Sequence, residues 1–424
     1  MTSLRSIVPS VVMTAVAAET ADVADSTILS RNIVDLSQDL VEDADAMATS
    51  LGAVAVMTAA SSDLLIRTTL VLENGKIVAK YIRDDVEENE PNHVWSTTKS
   101  WTSLLIGLLV DEGLLEIEDT LGDIFKDDDA WSQVLDGSVE TCKAVTIKEM
   151  LTMTSGLVSP PSYEEIARMS SEKLAEFIKA VYDGTEGAGG SSLSRSLADP
   201  EIGTKGEFAY ISTSQILSYV IKERTGMTPR EFLKTKVMPS LGIAEEEYNW
   251  LQNEDEVEYG YHGLELTALQ MAKFGQLYLQ RGESKPSSAL DKPQTMSCAR
   301  NVTHEVISKS WIQDTFTPYA RESTFFNLNY GYLFWGVTDK MYCALGAMGQ
   351  DICIDQASGR VIVQQRDPDE ENPLGGNLVM SLVASDPELS FTALPKGTTL
   401  AQESSCTRLT WAVPLVLFLP VLFL

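Results

Sequence analysis

Histidine and cysteine are scarce in this chain. The 424 residues hold three histidines (His93, His262 and His304) and five cysteines (Cys142, Cys298, Cys343, Cys353 and Cys406), with no CxxC pair and no HExxH. Zinc sites are built from such residues at short, regular spacings, so a metal-centred chemistry has almost no raw material here. No G-x-S-x-G occurs, which removes the nucleophile elbow of the α/β-hydrolases. Basic residues are also in short supply: 32 Lys and Arg stand against 61 Asp and Glu, a formal net charge of −29. Such a surface repels nucleic acid and anionic headgroups, so no nucleic-acid partner is expected, and the acidity is read chiefly as solubility.

Long apolar runs are confined to two places. One is Leu409–Leu424, LTWAVPLVLFLPVLFL, shorter than the roughly 20 residues of a spanning helix and interrupted by Pro414 and Pro420. Preceded by a polar spacer (391–408) with Gly397, Ser404 and Ser405, it reads as a GPI-attachment signal, with a retained tail anchor as the alternative. Either brings membrane association through the C-terminal tail. Residues 1–18 read as a candidate secretory signal, the alternative being a disordered amino terminus. Residues 19–62 form a patternless extension. Loss of Cys406 with the tail leaves four cysteines, an even number suited to an oxidising compartment, and Cys343 and Cys353 fall where they can face each other across a hairpin. Asn301-Val302-Thr303 is a glycosylation sequon. A secretory, cell-surface or membrane-anchored location follows as the expectation.

The second apolar run is Thr102–Val110, TSLLIGLLV, apolar on every side and so expected as a buried helix stopped by Gly113. Around it the chain is punctuated clearly. Leu65–Leu72 and Lys76–Ile82 are β-rich runs separated by Asn74-Gly75, a strong hairpin signal. Thr146 and Glu149 form a capping box. Ser214–Arg224 and Thr267–Arg281 read as helices, and Asp183–Asp199 as a Gly/Ser-rich loop. Tyr330–Val337, Met341–Leu345, Ile352–Asp355 and Arg360–Gln365 read as strands. Strands, then helices, then strands again predict one α/β domain over 63–390 whose sheet uses both ends.

Immediately before the buried helix stands Ser96-Thr97-Thr98-Lys99, an S-x-x-K element. Residues three apart share a helix face, so the Lys99 amine reaches the Ser96 hydroxyl. Burial lowers a lysine pKa and makes it a base near neutral pH, while the helix N-terminus favours a developing oxyanion. Ser170-Ser171-Glu172-Lys173 matches the same pattern, but in a polar segment where the lysine would stay protonated and solvated.

The run from Thr68 to Phe125 around that motif, with VTIKEMLTMTSGL after it, resembles the serine β-lactamase and penicillin-binding-protein superfamily. The resemblance is greatest to its class C-like branch of 6-aminohexanoate-dimer hydrolases and related esterases. FAYIST (208–213), HGLELTALQMAKFGQLYLQRG (262–282) and GAMGQDICID (346–355) extend it over roughly 63 to 385. It implies a β-lactamase/transpeptidase-like α/β (α+β) fold, an antiparallel sheet flanked by helices with an all-helical subdomain. It also implies Tyr210, in Tyr210-Ile211-Ser212, as proton relay beside Lys99, whose cation would make the phenolate accessible. Trp95, Ser212, Ala347 and Met348 fall in the substrate pocket. Where relatives carry Lys-Thr-Gly or His-Thr-Gly, this chain has Ala347-Met348-Gly349, followed by Gln350. No cation stands there for a substrate carboxylate, while backbone N–H groups of Ser96 and Gln350, beside Gly349, are left to form an oxyanion hole.

The expected activity is hydrolysis of an amide or ester bond in a small neutral or cationic substrate through a Ser96 acyl-enzyme, with no cofactor. A catalytically silent scaffold, binding in the old cleft or self-assembling, is the alternative. His93 is expected as a plain loop residue or a shaper of the pocket, and His262 as a structural residue.

Overall fold

The computed structural model describes residues 33–44, 63–128, 143–156, 205–210, 214–285, 303–321 and 328–368. The expectations for the terminal signals, the Asp183–Asp199 loop, Ser170–Lys173, Ser212, Asn301 and the three remaining cysteines lie outside these residues.

Among the described residues, eight antiparallel strands make the main sheet. In chain order they are β1 (Ile66–Glu73), β2 (Lys76–Ile82), β3 (Ala320–Arg321), β4 (Asn329–Tyr330), β5 (Trp335–Gly336), β6 (Met341–Gly346), β7 (Gln350–Asp355) and β8 (Arg360–Arg366). Their spatial order is β2-β1-β8-β7-β6-β5-β4-β3, so the first hairpin joins the last strand. Asn74 and Gly75 both adopt positive φ (52° and 78°), the backbone a two-residue hairpin turn needs and the reason Asn-Gly stands there. The run Tyr330–Val337, expected as one strand, is instead two two-residue strands around a turn in which Leu333 has φ 58°. A continuous apolar stretch cannot by itself announce such a reversal. Part of the expected patternless extension is built in: Leu36 is fully buried, and Ile77 of β2 exchanges backbone bonds with Val41 and Asp43. That segment covers the outer edge of the sheet.

The apolar run does form a buried helix, α1 (Thr98–Asp111), followed by Gly113 at φ 68°. Three later helices pack against it. α3 (Ser214–Thr225) packs along α1, as does the helix Pro229–Lys236. α4 (Ala268–Leu279) lies on β8, β7 and β1, with its Phe274 stacked on Trp101 of α1 at 4.2 Å. Gly275 brings α4 against Val361 and Ile352, where a β-carbon would collide. The short helix α2 (Ile147–Leu151) starts with the capping box foreseen at Thr146 and Glu149. Among the described residues no helix is long and apolar enough to cross a membrane.

Gly107 marks how tightly α1 is held, because a β-carbon there would fall inside the buried indole of Trp311. Gly107→Val is therefore expected to destabilise the fold by about 1–3 kcal/mol, the usual cost of overpacking, despite valine's smaller backbone entropy. A urea midpoint unchanged from wild type would disprove that tight fit.

Candidate active site

The chain reaches the site along a short ribbon. Asn92 and His93 pair with Leu266 and Glu265, and Val94 N–H donates to Leu264 O at 2.9 Å. Trp95 then turns sharply, and Trp95–Thr97 forms a 3₁₀ turn that runs into α1. Ser96 sits in this turn, 5% exposed.

The polar start of an otherwise apolar helix turns out to be a set of fasteners. Thr97 Oγ1 donates to Gln350 O (2.6 Å), Thr98 Oγ1 accepts from Leu264 N (3.3 Å), and Ser100 Oγ donates to Leu333 O (2.7 Å). Thr102 Oγ1 donates to Gly260 O (2.9 Å). Each hydroxyl is buried, and together they bind three distant segments, around residues 260–264, Leu333 and Gln350, so the start of α1 is fixed from several sides.

Lys99 completes this pattern and differs from it. Its Nζ donates to Ser96 Oγ at 2.9 Å and to Tyr261 O at 3.1 Å, inside the core. Among the described residues no carboxylate shares its hydrogen bonds, and desolvation pulls its pKa down to about 7. Near neutral pH a large fraction of Lys99 thus carries a lone pair directed at the serine hydroxyl.

Tyr210 approaches from the opposite side. Its hydroxyl shares a hydrogen bond with the Ser96 hydroxyl, and a second bond joins its side chain to Trp335. The Lys99 Nζ lies 4.8 Å from its ring centroid, and Trp335 and Tyr330 enclose the ring at 5.1 and 6.1 Å. The expected phenolate is not what this environment favours. Burial raises the Tyr210 pKa to about 12, the serine and indole bonds lowering it less. The reason is that Lys99 is itself neutralised by burial and supplies little positive charge. The Tyr210 hydroxyl therefore keeps its proton near neutral pH.

The turn that replaces the usual third motif lies against the same helix start. Ala347, Met348 and Gly349 are buried in a tight turn between β6 and β7, with Met348 at φ 65°. Gln350 directs its side chain away from chemistry: its Oε1 accepts from Asn92 Nδ2 (3.3 Å), and its Nε2 donates to Arg366 O (2.6 Å). Its carbonyl receives Thr97, so the turn and the segment that carries Ser96 are joined directly. The turn contains no cation. Cys343 and Cys353 are cross-strand partners in β6 and β7 and form a buried disulfide that clamps this hairpin.

Geometry thus brings Ser96, Lys99, Tyr210 and the 347–350 turn together, beside Trp95. Three contributors had no local signal in the sequence. The Trp335 side chain reaches Tyr210 across 125 residues, the Tyr261 carbonyl holds Lys99, and His93 contacts Trp95. Among the described residues, no three His, Cys, Asp or Glu side chains gather as a metal site would require.

An antiparallel sheet backed by helices, with a serine and a lysine one turn apart at the start of a buried helix, is the architecture of β-lactamases and transpeptidases. The beta-lactamase family model matches residues 67–363, well over half of the chain, and the protein belongs to that family. Among solved structures it is similar to a penicillin-binding-protein homologue from Caulobacter crescentus, with 14% identity over 82% of this chain and 98% of that one, TM-score 0.55. It is also similar to a family VIII carboxylesterase (13% identity, 83% and 99%, TM-score 0.51). A third likeness is to a candidate 6-aminohexanoate-dimer hydrolase from Bacillus anthracis (19% identity, 77% and 79%, TM-score 0.50). At these identities the likeness is one of fold.

Proposed function

We propose that the protein is a serine hydrolase that cleaves amide or ester bonds of small neutral or cationic substrates through an acyl-enzyme on Ser96. The observation that carries this reading is the buried Lys99 amine, 2.9 Å from the Ser96 hydroxyl and with its pKa lowered to about 7. A lysine held at an N-cap serine for structure alone would keep its charge in water. Here it is kept from water and aimed at a hydroxyl, which is how a weak nucleophile is activated.

The steps follow from the positions. Ser96 Oγ attacks the substrate carbonyl carbon and its proton passes to the neutral Lys99 amine. The carbonyl oxygen takes up the negative charge, facing the Ser96 N–H and the Gln350 N–H, the proposed oxyanion donors. Collapse expels the amine or alcohol, which takes a proton from the Tyr210 hydroxyl, and Lys99 returns its proton to Tyr210. Water then attacks the acyl carbon, gives a proton to the same pair, and frees the acid while Ser96 regains its hydrogen.

The substrate class follows from what surrounds the serine. The 347–350 turn offers no ammonium or guanidinium to a carboxylate, and the net charge of −29 disfavours anions at a distance. An esterase and an amidase share this machinery, and the carboxylesterase and amide-hydrolase likenesses support both. An oxidising, secretory location belongs to the same proposal and is supported by the buried Cys343–Cys353 disulfide.

Reaction with a fluorophosphonate, followed by peptide mass mapping, tests the proposal. The label is expected on Ser96 and not on Ser170. Folded protein that takes no label from pH 6 to pH 9 would instead support the silent scaffold. Tyr210→Phe, which keeps the ring among Trp335 and Tyr330 but loses the donor, is expected to lower kcat for amides by about 10²–10³-fold. Esters with acidic leaving groups need less protonation and should lose less. Equal losses for both would remove Tyr210 from the leaving-group step.

A further inference from the structure

We infer that His93 is a positioning residue for the nucleophile: its Nδ1 holds the Trp95 amide, and through Trp95 it fixes the turn that aims Ser96 at Lys99 and Tyr210. The inference rests on the serine-hydrolase proposal for its catalytic consequence, though not for its geometry.

Trp95 has φ 49°. That left-handed region is natural for glycine and costly for a bulky side chain, because its β-carbon crowds the carbonyl oxygen. The chain nonetheless places tryptophan there, one residue before the serine. Such a backbone persists only where neighbours hold it. Two contacts do so from one residue. The Trp95 N–H donates to His93 Nδ1 at 3.1 Å, and the indole meets the imidazole edge-on with centroids 4.5 Å apart. Beyond Trp95, Thr97 N–H donates to Val94 O at 3.1 Å and closes the turn around Ser96.

His93 is itself well anchored. Its backbone pairs with Glu265 in the short ribbon, and its ring stacks on His262 at 5.7 Å. His262 stacks in turn on Tyr259 at 4.6 Å. His262 also follows Tyr261, whose carbonyl receives the Lys99 amine. The two imidazoles thus join the strand leading to the nucleophile with the segment that holds its base. Accepting a hydrogen bond at Nδ1 requires that nitrogen to be unprotonated, and burial, which lowers the pKa of both histidines, keeps the pair neutral. A displacement of the nucleophile by about 1 Å can cost on the order of 10²-fold in rate, so a bond that sets this turn acts on chemistry without touching substrate.

The test compares two substitutions. In His93→Asn the amide oxygen takes the place of Nδ1 and still accepts from Trp95, while His93→Leu keeps bulk and loses the acceptor. Both lose the stack on His262. The second-order rate of Ser96 labelling by a fluorophosphonate and the kcat for a p-nitrophenyl ester are measured beside thermal unfolding. His93→Leu is expected to slow labelling and kcat by about 10²-fold with KM little changed, and His93→Asn to recover to within about threefold of wild type. Leucine as fast as wild type, or asparagine as slow as leucine, would overturn the inference while leaving the hydrolase proposal standing. If wild-type protein takes no label, the hydrolase proposal fails, and hydrogen exchange at the Trp95 amide decides the positioning role. Protection in wild type and His93→Asn but not in His93→Leu supports it; an unprotected wild-type amide refutes it. Should His93→Leu not fold, His93→Gln, whose oxygen falls near the Nε2 position, serves as the variant lacking the acceptor.

Discussion

Ser96→Ala is expected to lower turnover of any ester or amide substrate by at least about 10⁴-fold and to abolish covalent labelling. The loss belongs almost wholly to kcat, because the pocket and the proposed oxyanion donors remain and alanine keeps its own N–H. Stability is expected to change by about 1–2 kcal/mol, since the hydrogen bonds to Lys99 and Tyr210 are removed and no cavity larger than a hydroxyl is left. Steady-state kinetics on purified protein, with unfolding curves for both forms, read the two effects separately. If Ser96→Ala hydrolysed substrate at the wild-type rate, the nucleophile would have to be sought elsewhere, and the arrangement at the head of α1 would lose its chemical meaning.

Lys99→Met is expected to move activity and stability in opposite directions. Loss of the base costs turnover about 10³–10⁴-fold. Methionine matches the stem of lysine and needs no hydration, so it removes the cost of hiding an amine in the core. The sign follows from the shift. The Lys99 pKa falls from 10.5 to about 7 on folding, so between those values the folded protein binds fewer protons than the unfolded chain. Wild-type stability therefore rises with pH across that window, and the penalty is fully present below pH 7. The variant should gain on the order of 2 kcal/mol near pH 6 and progressively less toward pH 10. In wild type, kcat/KM should climb as the neutral amine accumulates, reaching half its plateau near pH 7. A profile flat from pH 5.5 to 8.5, or a Lys99→Met protein less stable than wild type at pH 6, would contradict this account of the lysine.

How much of this was legible beforehand depended on how far apart the partners lie in the chain. The Asn74-Gly75 turn, the Thr146–Glu149 capping box and the buried helix after Ser96 are local patterns, and each folds as its residues dictate. The cross-strand facing of Cys343 and Cys353 was open to the same reasoning, because a short turn sets their register. The Ser96–Lys99 contact needed only helical spacing. Tyr210 entered through resemblance alone, and the same burial that lowers the Lys99 pKa raises that of its phenol. Thr97, Thr98, Ser100 and Thr102 carry no local sign of the distant groups they bind. They are buried because carbonyls and amides from 158 to 253 residues away close over them. His93 was discounted for a related reason. Its role depends on the left-handed backbone of Trp95, and a tryptophan, unlike glycine or asparagine, does not advertise such a conformation.

The union of the first hairpin with the final strand has a consequence for how the molecule comes into being. Ile66 of β1 lies opposite Arg366 of β8, and Thr97 is tied to Gln350. On a ribosome, the serine and lysine emerge while the strands that seat them are still unmade. Helix α1 must wait more than 100 residues for α3 to pack along it, and its first turn is tied to Gln350 only when β7 follows. High contact order of this kind slows folding and lengthens exposure to aggregation. The proposed active centre is thus the last thing the growing chain completes, and a fragment ending before β7 and β8 would carry Ser96 and Lys99 without the framework that seats them.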